Sequence, residues 1–296
     1  MKVSIGIPFY NPGNFLKQSI YSILNQTFTD FELILLDDGS TDNSLEIAKS
    51  FDDRRIKVIS DGKNKSLPVR LNQIIDIAQG EYIARMDADD LVSLDRIIKQ
   101  VKLLDNSPDI DIVATGLCSI TDENEVIGYR QPSVEVLDNL SVSDAIFGLS
   151  GIAHATILVR KSWYLRNSYN ENTKLKEDYQ LWIDAAIKKD LKVAFIKEPL
   201  YYYREESSVS PKKAIRAYFN GLKIVLFQYL QFLTFGNKVK IVGKTIAKVL
   251  FVFFANIFKL ENKLLTLRNK STHQDPVLIK QLQSEINTLI INCDHK

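Results

Sequence analysis

Two acidic clusters carry the first chemical signal in this 296-residue chain. One reads Asp37-Asp38-Gly39-Ser40-Thr41-Asp42 and the other Asp87-Ala88-Asp89-Asp90. Each follows an apolar run, Phe31–Leu36 or Tyr82–Met86, and each precedes a helical pattern. This puts both clusters at the carboxyl ends of predicted parallel strands, where open α/β sheets bind ligands. Gathered carboxylates repel one another, so their proximity costs free energy unless a cation or a donor-rich ligand compensates. An Asp-x-Asp offers hard oxygens suited to Mg²⁺ or Mn²⁺ carrying a diphosphate. Taken alone, Asp87-Ala88-Asp89 could equally be a solvated turn whose aspartates cap the next helix.

The elements that must position these groups can be read from periodicity. Val3–Ile7, Phe31–Leu36, Ile56–Ile59 and Glu81–Met86 read as strands. Gly13–Gln26, Ser44–Phe51, Pro68–Ala78 and Leu94–Leu104 alternate with them as helices. Such alternation predicts an α/β fold with a mostly parallel sheet flanked by helices, joined by right-handed crossovers. From Asp109 the pattern is mixed. Ile112–Leu117, Thr156–Val159, Lys192–Ile196 and Leu200–Arg204 read as strands, Val134–Phe147 and Asp178–Lys188 as helices.

Charge and cysteine usage bound the function. Net charge is +2, yet Lys212–Lys270 holds twelve Lys and Arg residues and a single acid, Glu261. A basic block of this kind points to an anionic partner surface. Lys212–Leu233 and Val239–Leu267 read as basic, aromatic helices, and Leu278, Leu282, Ile286 and Leu289 form a last amphipathic stripe. The apolar run Ile246–Phe258 is too short and too closely flanked by lysines to span a bilayer, and an in-plane helix fits it better. Nucleic acid is the weaker partner, because the aromatics sit inside aliphatic runs rather than interleaved as stacking platforms. Cys118 and Cys293 have no metal-ligand spacing and are too few for a disulfide framework, so a reducing cytosol is expected. The N-terminus runs straight into a strand with no signal-peptide layout.

Several motifs fall in an order that resembles the family-2 glycosyltransferases. They are Ile5-Gly6-Ile7-Pro8-Phe9-Tyr10-Asn11, Ser22-Ile23-Leu24-Asn25-Gln26-Thr27, the cluster at 37–42, and Gly80-Glu81-Tyr82-Ile83-Ala84-Arg85-Met86-Asp87-Ala88-Asp89-Asp90. The resemblance covers about residues 1–210. It implies a GT-A fold, with a nucleotide-binding half at 1–110 and an acceptor half at 111–211; the basic block adds a helical extension at 212–296. It also implies transfer of a sugar from a nucleotide-diphosphate sugar, UDP-sugar or dTDP-sugar.

The resemblance assigns roles residue by residue. Pro8, Tyr10 and Asn11 hold the nucleoside, and Asp38 accepts the N3–H of a uracil or thymine. Arg70 lies near the nucleotide. Asp87 contacts the ribose and Asp89 binds Mn²⁺ or Mg²⁺, while Asp90 is left as a helix cap. The segment Lys176-Glu177-Asp178-Tyr179-Gln180-Leu181-Trp182 resembles the family's Glu-Asp-x-x-Leu-Trp and makes Asp178 the general base, supported by Glu177. A carboxylate at a helix N-terminus is held charged by the dipole, ready to take a proton. The alternative is an acidic cap pair without chemistry. Trp182 could stack on a sugar or fill the core, and His154 could contact a ligand or be structural. Many relatives carry a histidine in an Arg-x-His-x-x-Ser segment; here Tyr203-Arg204-Glu205-Glu206-Ser207-Ser208 has none. Arg204 could then bind phosphate directly, or water could complete the metal shell.

These readings predict a metal-dependent inverting transferase acting on a glycan or lipid-linked acceptor in bacterial surface-polysaccharide synthesis. The basic helices would place it in the cytoplasm, peripheral on the inner face of the membrane, or would join a second copy of the chain. One rival is a sugar-1-phosphate nucleotidyltransferase, which would want a Gly-rich basic loop where this chain has Pro8-Phe9-Tyr10-Asn11-Pro12-Gly13. The other is a non-catalytic scaffold on the same fold.

Overall fold

The computed structural model describes residues 1–138, 140–205, 210–258 and 274–294. The first half runs β1 (Val3–Phe9), α1 (Phe15–Leu24), β2 (Phe31–Asp37), α2 (Ser44–Lys49), β3 (Ile56–Ser60), α3 (Leu67–Ile77), β4 (Tyr82–Arg85), β5 (Leu91–Val92) and α4 (Arg96–Asp105). There follow β6 (Ile112–Ile120), β7 (Val126–Arg130), β8 (Val136–Leu137), α5 (Val142–Ile146) and a 3₁₀ turn at His154–Thr156. Next come β9 (Leu158–Arg160), α6 (Lys161–Arg166), α7 (Glu177–Ile187) and β10 (Val193–Arg204). The tail holds α8 (Pro211–Ile224), α9 (Phe235–Ile257) and α10 (Pro276–Asp294).

The strands form one sheet in the order β3-β2-β1-β4-β9-β6-β10-β5, with β7 on β6 and β8 on β10. β1 pairs in parallel with both β2 and β4, and β2 with β3. β9 runs antiparallel between β4 and β6. Every residue of β1 and β2 is buried, as expected of strands covered on both faces. One layer packs Leu16, Ile20 and Ile23 of α1 with Ile97, Val101 and Leu104 of α4 against Ile5, Ile7, Leu33 and Leu35. The other packs Leu71 and Ile74 of α3, Trp163 of α6 and Leu181 of α7 against Ile34, Leu36 and Ile83. Gly6 lets α3 approach β1: a Cβ there would lie 2.5 Å from Ile74 Cγ2.

The first 105 residues match the predicted alternation to within a few residues. Three later readings are corrected. Val134–Phe147 is not one helix: Val136–Leu137 joins the sheet antiparallel to β10, and only Val142–Ile146 is helical. The alternating Val134-Glu135-Val136 suits a strand edge, and Ser141 caps α5 by accepting the Asp144 N–H at 3.0 Å. The two late strands are one, β10, whose register against β6 slips around Pro199. That is where a proline, lacking the ladder donor, is tolerated. The helix read over Lys212–Leu233 ends at Ile224 and continues as a π turn and a 3₁₀ turn to Phe232.

α9 begins at Phe235, four residues before the predicted start, because Thr234 accepts the Asn237 N–H. The predicted end at Leu267 lies outside the described residues. Leu282, Ile286 and Leu289 of α10 pack on Leu91, Cys118, Ile120 and Tyr202, so the last stripe covers the β5 end of the sheet.

Candidate active site

The carboxyl ends of β1, β2 and β4 lie side by side, with Phe9 paired to Asp37. Asn11, at φ 52°, ties the first loop to the second: its Oδ1 accepts the Thr41 N–H at 2.7 Å and its Nδ2 donates to Thr41 Oγ1 at 3.1 Å. Gly39 turns the chain at φ 77°, and a Cβ there would meet the Lys63 carbonyl carbon at 2.8 Å, so glycine is required on both counts. Asp37 accepts the Ser40 N–H at 2.8 Å and the Ser60 hydroxyl at 2.7 Å. Burial works against its charge, but these donors outweigh it and hold its pKa below the usual range.

Asp38 accepts the Lys65 N–H at 2.7 Å, the Ser66 N–H at 3.2 Å and Arg70 Nε–H at 2.8 Å. A carboxylate has about four acceptor sites, so one remains for a ligand donor. Arg70 itself is fully buried, and its other donors go to Asp61, Gln73 and the Lys63 carbonyl. All five guanidinium donors are thus spent within the protein. Arg70, expected near the nucleotide, here orients Asp38 through its Nε–H. Asp61, which shares Arg70, was missed in the sequence, although an Asp-Gly directly after a short strand could have flagged it. Pro8 is buried in β1, while Tyr10 beside it is 52% exposed and free to cover a ligand.

The loop from β4 to β5 carries Asp87, Asp89 and Asp90. Arg85, buried, donates to Asp87 Oδ1. Asp90 is fully buried and accepts the Tyr201 hydroxyl at 2.6 Å and the Arg204 N–H at 2.7 Å, so it pins the loop to β10 rather than merely capping a helix. Arg204 donates from Nε to the Asp89 carbonyl at 2.8 Å, and its remaining donors reach Thr121, Asp122, Gln18 and Asn124. Every Arg204 donor is committed within the protein and the side chain is buried over Phe15, so its visible part here is to hold the acidic loop.

Asp89 is pushed up to about 6, first by burial and then by the Asp87 charge. A carboxylate so destabilised is one that a bound cation would relieve. Among the described residues no three His, Cys, Asp or Glu side chains gather closely enough to hold a metal ion by themselves. The donor set therefore fits a cation shared between Asp87 or Asp89 and a ligand's own oxygens, as Mg²⁺ and Mn²⁺ accept.

A cleft of about 510 Å³ opens beside this loop, lined by Arg85, Asp87, His154, Glu177, Asp178 and Tyr201 among others. α7 delivers two of its carboxylates from its first turn, and Leu175, at φ 62°, sets the angle at which the chain enters that turn. Asp178 is half-buried, while Glu177 is buried and its pKa raised, chiefly by desolvation. His154 Nε2 lies 2.7 Å from the Tyr169 hydroxyl, and burial together with the Arg85 charge keeps its imidazole neutral. Trp182 is 4% exposed between Trp163 and the edge of His154, so it fills the core instead of stacking on a sugar.

Sequence reading brought Asp87, Glu177, Asp178 and His154 to this cleft, but gave no role to Arg85 or Tyr201. Pro8, Tyr10, Asn11 and Asp38 lie at the neighbouring strand ends and do not line it.

Residues 4–163 match the family described as Glycosyl transferase family 2. EpsE of Bacillus subtilis, assigned as a glycosyltransferase, is 35% identical over 219 residues, covering 72% of this chain and 76% of EpsE. The glycosyltransferase GlyG of Streptococcus pneumoniae is 28% identical over 224 residues, covering 69% and 71%. Among solved structures, S. aureus TarS 1–349 in complex with UDP superposes with a TM-score of 0.58 at 20% identity, over 83% of this chain and 71% of that one. The mannosyltransferase PcManGT of Pyrobaculum calidifontis, solved with GDP-Man and Mn²⁺, gives 0.57 at 13% identity, over 99% and 86%. With this sheet order, these strand-end carboxylates and these relatives, the chain belongs to glycosyl transferase family 2 and has the GT-A fold.

Proposed function

We propose that this chain is an inverting, divalent-metal-dependent glycosyltransferase that uses a nucleotide-diphosphate sugar, a UDP-sugar first among them. The observation that carries the reading is the shared cleft. Asp87, from the strand-end loop, and Asp178, from the first turn of α7, line the same space. One base carboxylate facing one diphosphate site suits a single in-line displacement at the anomeric carbon.

Each residue has a part. Asp38, with one acceptor site left, takes the N3–H of a uracil or thymine, and Tyr10 and Asn11 frame the base. Asp87 contacts the ribose and Asp89 holds Mn²⁺ or Mg²⁺. Such a cation, when bound, neutralises charge on the departing diphosphate as a Lewis acid. Asp178 takes the proton from the acceptor hydroxyl, and buried Glu177 and neutral His154 shape its surroundings. Arg85 balances the carboxylates, since its charge lies against Asp87 and is felt by Glu177.

The acceptor we propose is a glycan or a lipid-linked glycan of bacterial surface-polysaccharide synthesis. Support comes from residues 210–258, which hold eight Lys and Arg and no Asp or Glu. Phe227, Phe235, Phe251, Phe253, Phe254 and Phe258 are each at least half exposed there. Among the described residues no helix is long and apolar enough to cross a membrane. An in-plane contact with the inner face of an anionic membrane fits these features. So does the proposed division into a catalytic unit at 1–211 and a basic extension at 212–296; pairing of two copies through the extension is the competing use of its apolar face.

Nucleotide release from a panel of UDP- and dTDP-sugars, with Mn²⁺ and with EDTA, tests the donor reading. Release from at least one sugar, dependent on the cation, is expected. No release from any of them, or release undiminished by EDTA, would overturn it.

A further inference from the structure

A second cavity, of about 240 Å³, lies on the far side of the first turn of α7, between that turn, α8 and α9. Lys176, Lys244 and Lys248 converge on it, with Phe147, Tyr179 and Tyr218 in its walls. Each ammonium lies against a ring: Lys176 is 5.7 Å from the Tyr179 centroid, Lys244 5.5 Å from Phe147 and Lys248 5.4 Å from Tyr218. Among the described residues none of the three forms an ion pair with a carboxylate. α8 and α9, which form much of the wall, contain no acid. Partial desolvation and the charges of Lys244 and Lys176 lower the pKa of Lys248; Lys244 and Lys248 are exposed at the cavity mouth, and Lys244 donates to the Phe147 carbonyl at 3.2 Å. Gly221 of α8 leaves the room: a Cβ there would already be in van der Waals contact with Lys176 Cε at 3.7 Å.

Three ammonium groups around one cavity, none paired with a carboxylate among the described residues, suit a multiply charged anion, and lysine binds phosphate as a point charge. Two neighbours narrow the choice. Lys176 and Tyr179 line this cavity while Glu177 and Asp178 line the catalytic cleft, so the start of α7 borders both. The same helix α9 that supplies Lys244 and Lys248 exposes Leu250, Phe251, Phe254 and Ile257 along its further length. A ligand with a reacting hydroxyl, a phosphate and an apolar tail would meet these features in that order.

We propose that Lys176, Lys244 and Lys248 form a binding site for the phosphate or diphosphate of a lipid-linked acceptor. The site holds that group while the acceptor hydroxyl reaches Asp178. The inference rests on the transferase reading for the identity of its ligand.

The test uses the full chain in EDTA, so that a metal–diphosphate site does not contribute. Farnesyl diphosphate and inorganic pyrophosphate are the probes, measured by calorimetry. Wild type should bind both. Lys244→Gln with Lys248→Gln should weaken both by roughly tenfold or more, the Lys→Arg pair should restore binding, and UDP affinity in Mn²⁺ should be unchanged. Equal probe affinity in wild type and the glutamine pair would overturn the site. So would loss of phosphatidylglycerol-vesicle binding with pyrophosphate and farnesyl diphosphate affinities intact, since the lysines would then serve membrane headgroups. If UDP fails to bind wild type while the probes behave as expected, the transferase reading falls and the phosphate site stands.

Discussion

The Tyr201 hydroxyl donates to Asp90 Oδ2 at 2.6 Å and accepts the Asp87 N–H at 3.1 Å. One oxygen thus locks both ends of the acidic loop to β10, with Ser19 Oγ reaching the Ala88 and Asp90 carbonyls from α1. The loop's position is therefore set by groups far away in sequence. Tyr201→Phe removes the hydroxyl and leaves a buried carboxylate short of a donor. It should cost ~1–3 kcal/mol of stability and lower kcat as Asp87 loses its anchor. Urea denaturation and steady-state kinetics read the two effects. A variant as stable and as active as wild type would show that the lock is idle.

Asp89→Ala should abolish transfer while leaving the fold intact, because the side chain is half-buried at a loop and, among the described residues, makes no hydrogen bond that holds the sheet. Wild-type turnover should also vanish on adding EDTA and return with Mn²⁺ or Mg²⁺. Circular dichroism checks the fold, and full turnover in EDTA would remove the cation from the account.

Glu32 offers a pH prediction away from the site. It is buried, and desolvation opposes its charge, but Lys57 at 2.7 Å, Ser4 Oγ at 2.6 Å and the Gln79 N–H at 2.7 Å outweigh this and lower its pKa. A group whose folded pKa lies below its unfolded value stabilises the fold above the unfolded value, about 4.3, and loses that contribution as pH falls through the folded one. Glu32→Gln should therefore cost about 1–3 kcal/mol at pH 7. The gap to wild type should narrow below about pH 4. Thermal melts of both proteins from neutral to acid pH measure it, and a pH-independent gap would mean that the charge plays no part.

Much of this was legible in the sequence, for a physical reason. Within residues 1–105, β1, β2 and β4 are buried on both faces and the helices carry one apolar stripe, so local pattern and tertiary burial agree; Ile20 and Ile23 of α1 are examples. Asp87 stood out because a strand end is visible as a change of period, whereas Asp178 was singled out because its segment resembles the family's Glu-Asp-x-x-Leu-Trp; both line the same cleft. The roles of Arg70 and Arg204 were not legible. Whether a guanidinium faces a ligand depends on how many of its five donors the fold consumes, and the partners of Arg204 are spread from Gln18 to Asn124. Val134–Phe147 misled because helical spacing of its apolar residues coexists with a short β-branched stretch that only pairing with β10 resolves.

The exposed apolar face of α9 should bring the protein to anionic membranes. Co-sedimentation with phosphatidylglycerol vesicles should be strong at low salt and weaker at high salt, since attraction is worth ~1 kcal/mol per Lys or Arg near the surface. Phe253→Glu with Phe254→Glu should reduce it sharply without unfolding the chain, because both rings are about half exposed. Equal failure of wild type on neutral and anionic vesicles would favour a second copy of the chain as the occupant of this face.

The central claim is that Asp178 is the base of a sugar transfer in the cleft it shares with Asp87. Asp178→Asn preserves shape and removes the proton acceptor, so single-turnover transfer on a donor that wild type uses tests it most directly. The account predicts a rate lower by ~10²–10⁴-fold with donor affinity unchanged. Transfer at the wild-type rate would contradict it and leave Asp178 as a helix cap.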